Sequence, residues 1–231
     1  MAAIVKRMFS AMLLSLFFLP SALSEQTDAL PDGFAYVDAV IPDVVLDIRY
    51  AGTNNFVGDI IDGYEAPRAI LTEEAAVALA RAAALFREMG YRVKIFDAYR
   101  PQSAVRHFMR WANNADDMRM RDQYYPDYRK KSLLVDAGYI ARNSSHMRGS
   151  AVDLTLADAD GNELDMGGTF DFFGKQSWYE YKGVTDEQKQ NRALLREIMM
   201  RCGFRPFDKE WWHFRLQNEP FPDTSFDFPV K

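Results

Sequence analysis

Residues 144–157 read Ser-Ser-His-Met-Arg-Gly-Ser-Ala-Val-Asp-Leu-Thr-Leu-Ala. From Ala151 to Ala157 the pattern alternates, with Val152, Leu154 and Leu156 on one side and Asp153 and Thr155 on the other, as a β-strand requires. Gly149 lets the backbone turn ahead of this strand, so that His146 and Asp153, seven apart, can face one point. A carboxylate held beside a sheet core needs a partner, and a cation is one answer.

Working outward, Tyr91 to Ile95 alternates strictly and predicts a second, half-buried strand. Before it, an alanine-rich helix is predicted over Glu73 to Met89. Thr72 caps it, Glu73 and Glu74 suit its positive end, and Gly90 stops it. Pro101 opens another helix at its first position, with Val105, Phe108, Met109 and Ala112 on its apolar face. Residues 34–50 suggest a strand or two, and residues 51–70 a loop. Residues 113–143 are polar and irregular, and residues 158–162 read as a turn. A capping box, Thr185 to Gln188, starts the last helix. Its buried stripe is Leu194, Leu195, Ile198, Met199 and Cys202, and Gly203 ends it. A final strand includes Trp212 to Leu216. Strands and helices mix without a regular βαβ rhythm, which points to an α+β fold, an antiparallel sheet flanked by helices, over a doubly wound one.

The 231 residues suffice for one domain with a real core. A net charge of -5 offers no basic face for nucleic acid. Lys6 and Arg7 precede the uncharged run Met8 to Leu19, Pro20 breaks it, and Ala22-Leu23-Ser24 supplies small residues for cleavage. That layout predicts a signal peptide over residues 1–24 and a single domain over residues 25–231. The mature protein is then exported, periplasmic, and without stable membrane association, because the run is shorter than the roughly 20 residues a span needs. The single cysteine, Cys202, cannot form an intrachain disulfide and reads as a small buried hydrophobe.

The chain has three histidines, His107, His146 and His213. His107 reads as structural, since its helix supplies no companion ligand. Glu210-Trp-Trp-His213 sets a carboxylate three residues from an imidazole. A regular strand would place those two on opposite faces, so a shared site demands a turn or bulge at Glu210. Two His and one carboxylate, His146, Asp153 and His213, make a zinc set with one position left for water. Glu210 then suits a general base, and Arg100, following Asp97-Ala98-Tyr99, suits a partner for a developing oxyanion. The residues alone also allow blander readings. Each histidine can be a hydrogen-bonded structural imidazole, Asp153 a paired acid, Arg100 a surface ion-pair partner, and Trp211 and Trp212 packing.

The order Ser-x-His-x-x-Gly-x-Ala-x-Asp followed by Glu-x-x-His resembles the zinc D-alanyl-D-alanine peptidases, a family related in fold to the hedgehog signalling domain. The likeness extends toward the VanX-type dipeptidases. It runs through Asp47-Ile-Arg-Tyr50, Asn55-Phe56, Asp97-Ala-Tyr-Arg-Pro101, Ser144-Ser-His146, Ala151-x-Asp-Leu-Thr155, Phe170-Asp-Phe172, Glu210-Trp-Trp-His213 and Phe226-Asp-Phe-Pro-Val-Lys231. The resemblance implies hydrolysis of free D-Ala-D-Ala with one zinc ion (Zn2+) per chain on His146, Asp153 and His213. It makes Glu210 the base and Arg100 the transition-state partner. It also puts Asp171, helped by Tyr50, on the substrate ammonium, and Ser144 and Tyr139 at the carboxylate end. Two other readings stand beside it: a zinc D,D-carboxypeptidase or endopeptidase trimming cell-wall peptides, and a non-catalytic zinc-binding domain. The best-known dipeptidases of this group act in the cytoplasm, which the signal-like leader here departs from.

Overall fold

The computed structural model describes residues 29–231. The predicted signal peptide, residues 1–24, lies outside the described residues. Among them, no helix is long and apolar enough to cross a membrane.

In chain order the elements are β1 (Phe34–Tyr36), α1 (Val37–Val40), β2 (Val45–Leu46), β3 (Ile70–Thr72), α2 (Glu73–Glu88), β4 (Arg92–Asp97), α3 (Gln102–Asn113), α4 (Arg121–Tyr124), α5 (Ser132–Asp136), β5 (Ala151–Ala157), α6 (Asp186–Arg201), β6 (Phe204–Phe207) and β7 (Glu210–Leu216). The main sheet has the order β2-β4-β5-β7-β6, and β1 pairs with β3 in a second, two-stranded sheet. The expected antiparallel sheet is present with one amendment: the short edge strand β2 runs parallel to β4. Two residues carry too little pattern to announce a pairing direction.

β5 occupies Ala151–Ala157 as its alternation predicts, but all seven residues are buried. Its apolar side enters the core, and its polar side is covered too, because that side faces an enclosed site. The last strand starts earlier than the sequence suggests, at Glu210 rather than Trp212. Pro101 sits just ahead of α3 as its N-cap, with Gln102 as the first helical residue. That corrects its predicted place inside the helix by one position.

The helices are otherwise where their caps put them. The Thr72 hydroxyl accepts from the Ala75 amide at the start of α2. The Thr185–Gln188 box at α6 is complete in both directions. α2 buries Ala75, Ala76, Ala78, Leu79, Ala82, Ala83 and Phe86 against β4 and α6. Leu195, Ile198 and Met199 of α6 pack toward β6 and β7, with Leu194 less buried than its stripe predicts and Arg192 buried among them. Burial raises the Cys202 thiol pKa, which suits a packing residue. Trp211 and Trp212 are buried as well. His107 pairs with Asp62 at 3.0 Å, away from the other two histidines.

Residues 226–231 form a strap over three turns. The Phe226 amide donates to the Met147 carbonyl (2.9 Å), and the Gln102 amide donates to the Phe226 carbonyl (3.1 Å). Phe228 exchanges hydrogen bonds with the Tyr99 hydroxyl at 3.0 Å. Val230 donates to Gly63 and accepts from Glu65, both at 2.8 Å.

The turn into β5 depends on Gly149. Its φ is +75°, and an added Cβ would fall 2.3 Å from Cε1 of Phe34. Both the left-handed conformation and the lack of space require glycine. Gly149→Ala is expected to cost about 2 kcal/mol or more, a fall in Tm of about 4–8 °C for a chain of this size. Thermal unfolding followed by circular dichroism checks this; an unchanged Tm would show that the turn relaxes freely.

Candidate active site

β5 lies between β4 and β7, and the pairing places Asp97 opposite Asp153 and Asp153 opposite His213. Three polar side chains thus form one row across adjacent strands, where opposed residues share a face. His146 reaches the row from a short 3-10 helix, Ser145–Arg148. The Ser144 hydroxyl caps that helix by accepting from the His146 amide at 3.3 Å.

The irregularity demanded at Glu210 is present. Phe207 of β6 faces Glu210, yet Pro206, one step back, faces Phe214, so one step on β6 matches four on β7. This break within β7 lets Glu210 and His213 turn to the same cavity, with Oε2 of Glu210 4.0 Å from Nδ1 of His213. The strand continues through the break, so Glu210 is its first residue rather than part of a preceding turn.

The cavity measures about 440 Å³, and its lining includes all nine residues singled out in the sequence: Tyr50, Arg100, Tyr139, Ser144, His146, Asp153, Asp171, Glu210 and His213. Phe56, Phe108 and Phe173 supply apolar wall between them. The Tyr50 hydroxyl donates to Oδ2 of Asp171 at 2.9 Å. Asp171 is the one non-glycine residue with positive φ, at 61°, among the described residues, a conformation that costs energy and collects at functional sites. Tyr139 accepts from the Trp178 indole at 2.9 Å, which fixes its ring over the cavity.

His146, Asp153 and His213 bring their ligand atoms together as a metal site needs. Nε2 of His146 lies 3.1 Å from Nδ1 of His213. The Asp153 oxygens lie 2.9 Å from His213 Nδ1 and 3.3 Å from His146 Nε2. Metal–ligand bonds of about 2.0–2.1 Å in a tetrahedral site put neighbouring donors about 3.3 Å apart. The outer nitrogens are also assigned. His146 Nδ1 meets the Ala98 carbonyl at 2.7 Å, and His213 Nε2 meets the Ser145 hydroxyl at 3.3 Å. The carbonyl can only accept, so His146 carries its proton on Nδ1 and turns Nε2 inward, and the Ser145 contact holds the His213 ring with Nδ1 inward, as outer partners orient metal-binding histidines. Two imidazoles and a carboxylate fit a divalent ion of the zinc type.

The carboxylates around this cavity differ because their surroundings differ. Burial alone would raise Asp153, but His146 and His213 beside it hold it well below the usual range. Burial and the negative charge of Asp153 push Asp171 far above that range, against the opposing pull of Arg100. Glu210 is pushed up to about 8, first by burial and then by Asp153, with Arg100, His146 and Lys209 opposing. These values describe the protein without a cation; a dication at the triad would lower Glu210.

Three contributors escaped the sequence reading. Ser145 supports His213, while Asp97 and Tyr64 form a buried pair behind Arg100. Asp97 gave no signal of its own: its parity along the chain would put it with Val93 and Ile95 on the apolar side, and a register shift between Ile95 and Asp97 turns it to the side of Asp153 instead. Tyr64 lies in a loop with no pattern to mark it.

A convergent ligand triad beside an enclosed carboxylate and an arginine is the make-up of a metal-dependent hydrolase. Residues 31–231 match the family model of the M15 peptidases, described as D-ala-D-ala dipeptidase, and the chain belongs to that family. It is 42% identical over 202 residues to a D-alanyl-D-alanine dipeptidase of Enterococcus faecalis, covering 87% of this chain and all of that one. A dipeptidase of the same name from Streptomyces coelicolor is 40% identical over 85% of this chain and 98% of its own. Another from Escherichia coli is 36% identical over 77% and 81%.

The raised Glu210 has a consequence for stability. In the metal-free folded protein this carboxyl keeps its proton up to about pH 8, whereas its ordinary value is 4.5. Between those limits the folded state binds more protons than the unfolded one, so stability falls as pH rises. The Tm of metal-free Glu210→Gln should therefore fall less between about pH 5 and pH 8 than that of the unsubstituted protein. Asp171 contributes with the same sign in both proteins, and because the Glu210 charge helps to raise it, the difference reports Glu210 together with the part of the Asp171 shift that it sustains. Equal slopes would mean that Glu210 is ionised throughout.

Proposed function

We propose that the chain hydrolyses the free dipeptide D-Ala-D-Ala to two D-alanines, with one zinc ion on His146, Asp153 and His213 and Glu210 as the general base. The observation that carries this reading is the convergence of the triad with Glu210 on one cavity that also holds the buried Tyr50–Asp171 pair. Zinc, when bound, supplies a Lewis acid and brings the pKa of water to about 7.

The chain's own groups do the rest. Glu210 takes a proton from the attacking water and gives it to the departing amine, so the C–N bond breaks without expelling an anionic nitrogen. Arg100 offers its guanidinium to the negative oxygen that develops from the peptide carbonyl. Asp171, oriented by the Tyr50 hydroxyl, receives the substrate ammonium, and Ser144 and Tyr139 lie toward the carboxylate. A free dipeptide carries one charge at each end, and a site reading both ends rejects longer or blocked peptides. This separates the reading from a carboxypeptidase or endopeptidase, which must leave one end open.

Glu210→Gln should retain one zinc per chain while kcat on D-Ala-D-Ala falls by about 10²–10⁴. N-acetyl-D-Ala-D-Ala and L-Ala-L-Ala should be poor substrates of the unsubstituted enzyme. Metal analysis and D-alanine release measure these effects; full turnover by Glu210→Gln would remove it as base, and rapid cleavage of the blocked peptide would favour the carboxypeptidase reading.

Residues 1–24 direct export, in the same proposal, so that the mature enzyme meets dipeptide freed from cell-wall material instead of the cytoplasmic precursor pool. Cell fractionation with N-terminal sequencing is expected to find periplasmic protein that begins close to residue 25. Uncleaved protein in the cytoplasm would end this part of the proposal.

A further inference from the structure

Arg100 is gripped along one edge. Its Nε lies 2.9 Å and its Nη2 2.8 Å from the same oxygen, Oδ2 of Asp97. Nη2 also stands 3.5 Å from Asp153, and the guanidinium lies over the rings of Tyr50 and Phe108 at 5.1 and 5.3 Å. Among the described residues Nη1 has no hydrogen bond, and it is not one of the buried polar atoms left without a partner. It is therefore the donor that Arg100 presents to the cavity it lines. The direction of that donor is set by Asp97.

Asp97 is itself fixed from behind. Its side chain is fully buried, and its second oxygen, Oδ1, accepts from the Tyr64 hydroxyl at 2.5 Å. Turning this carboxylate would swing the guanidinium, and the Tyr64 bond opposes that turn. Tyr64 is anchored in turn. Its ring meets Tyr50 edge-on at 5.6 Å, and its backbone bridges Val230 of the strap. Tyr64 is not among the residues lining the cavity, so it touches neither the triad nor a substrate there.

We infer that Tyr64, acting through Asp97, is a positioning residue that aims the free Nη1 of Arg100 at the reacting carbonyl. This rests on the proposed role of Arg100 in stabilising the oxyanion. Misplacement of such a group by an ångström costs up to about a hundredfold in rate, while ground-state binding of the dipeptide ends is left to other residues.

The test is a double-substitution cycle on D-Ala-D-Ala hydrolysis with the zinc-loaded enzyme. Tyr64→Phe keeps the ring and removes the hydroxyl. It is expected to lower kcat about tenfold or more, with KM and zinc content unchanged. In an Arg100→Met background the same change should have no further effect on kcat. Asp97→Asn, compared at equal zinc content, should repeat this non-additive pattern. An unchanged kcat for Tyr64→Phe, or an equal loss in both backgrounds, would overturn the positioning role. Full activity of Arg100→Met alone would instead refute the role of Arg100, a separate failure that the cycle registers on its own.

Discussion

The structure is organised around the need to keep several carboxylates together out of water. Asp97, Asp153 and Asp171 are buried, and Glu210 is largely enclosed beside them. Isolated charges in such a place would be prohibitive, and neighbouring ones repel. Arg100 supplies one positive charge, and two imidazoles aim their inner nitrogens at Asp153. A dication on the triad brings the set close to balance. Without it, burial outweighs the available cations at Asp97, Asp171 and Glu210, all of which are raised, and only Asp153, set between both imidazoles, is held low.

Sheet geometry makes this concentration possible. A row across three strands fixes Asp97, Asp153 and His213 by backbone hydrogen bonds, so their spacing does not depend on long flexible side chains. Three departures from regularity serve the same end. The glycine turn at Gly149 returns His146 to the row, the shift in β4 between Ile95 and Asp97 turns Asp97 to the side of Asp153, and the break in β7 brings Glu210 to the side occupied by His213. Each sets one functional group that a regular strand would misdirect.

Much of this was legible in the sequence because it rests on local rules. β5 announced itself by alternation, α2 and α6 by their caps, and the need for a break at Glu210 by parity alone. What remained hidden depended on distant partners. The direction of β2 is set by its docking on β4, not by the identities of Val45 and Leu46. Burial on both sides of β5 follows from what covers the site, so its polar residues gave no sign of enclosure. The Tyr64–Asp97 bond joins residues 33 apart, and nothing at Tyr64 itself distinguishes it from other loop tyrosines. The convergence of nine candidates on one cavity was anticipated from ordered short motifs, whose meaning comes from their succession along the chain more than from any single one.

The strap also has a temporal consequence. Residues 226–231 hydrogen-bond beside the backbone of His146, Arg100 and Tyr64, groups that leave the ribosome more than 70 residues earlier. A growing chain can pair β4, β5 and β7 before this segment emerges, yet the turns bearing those side chains remain unfastened until it docks. The fastening of these turns therefore follows the pairing of the sheet that they serve.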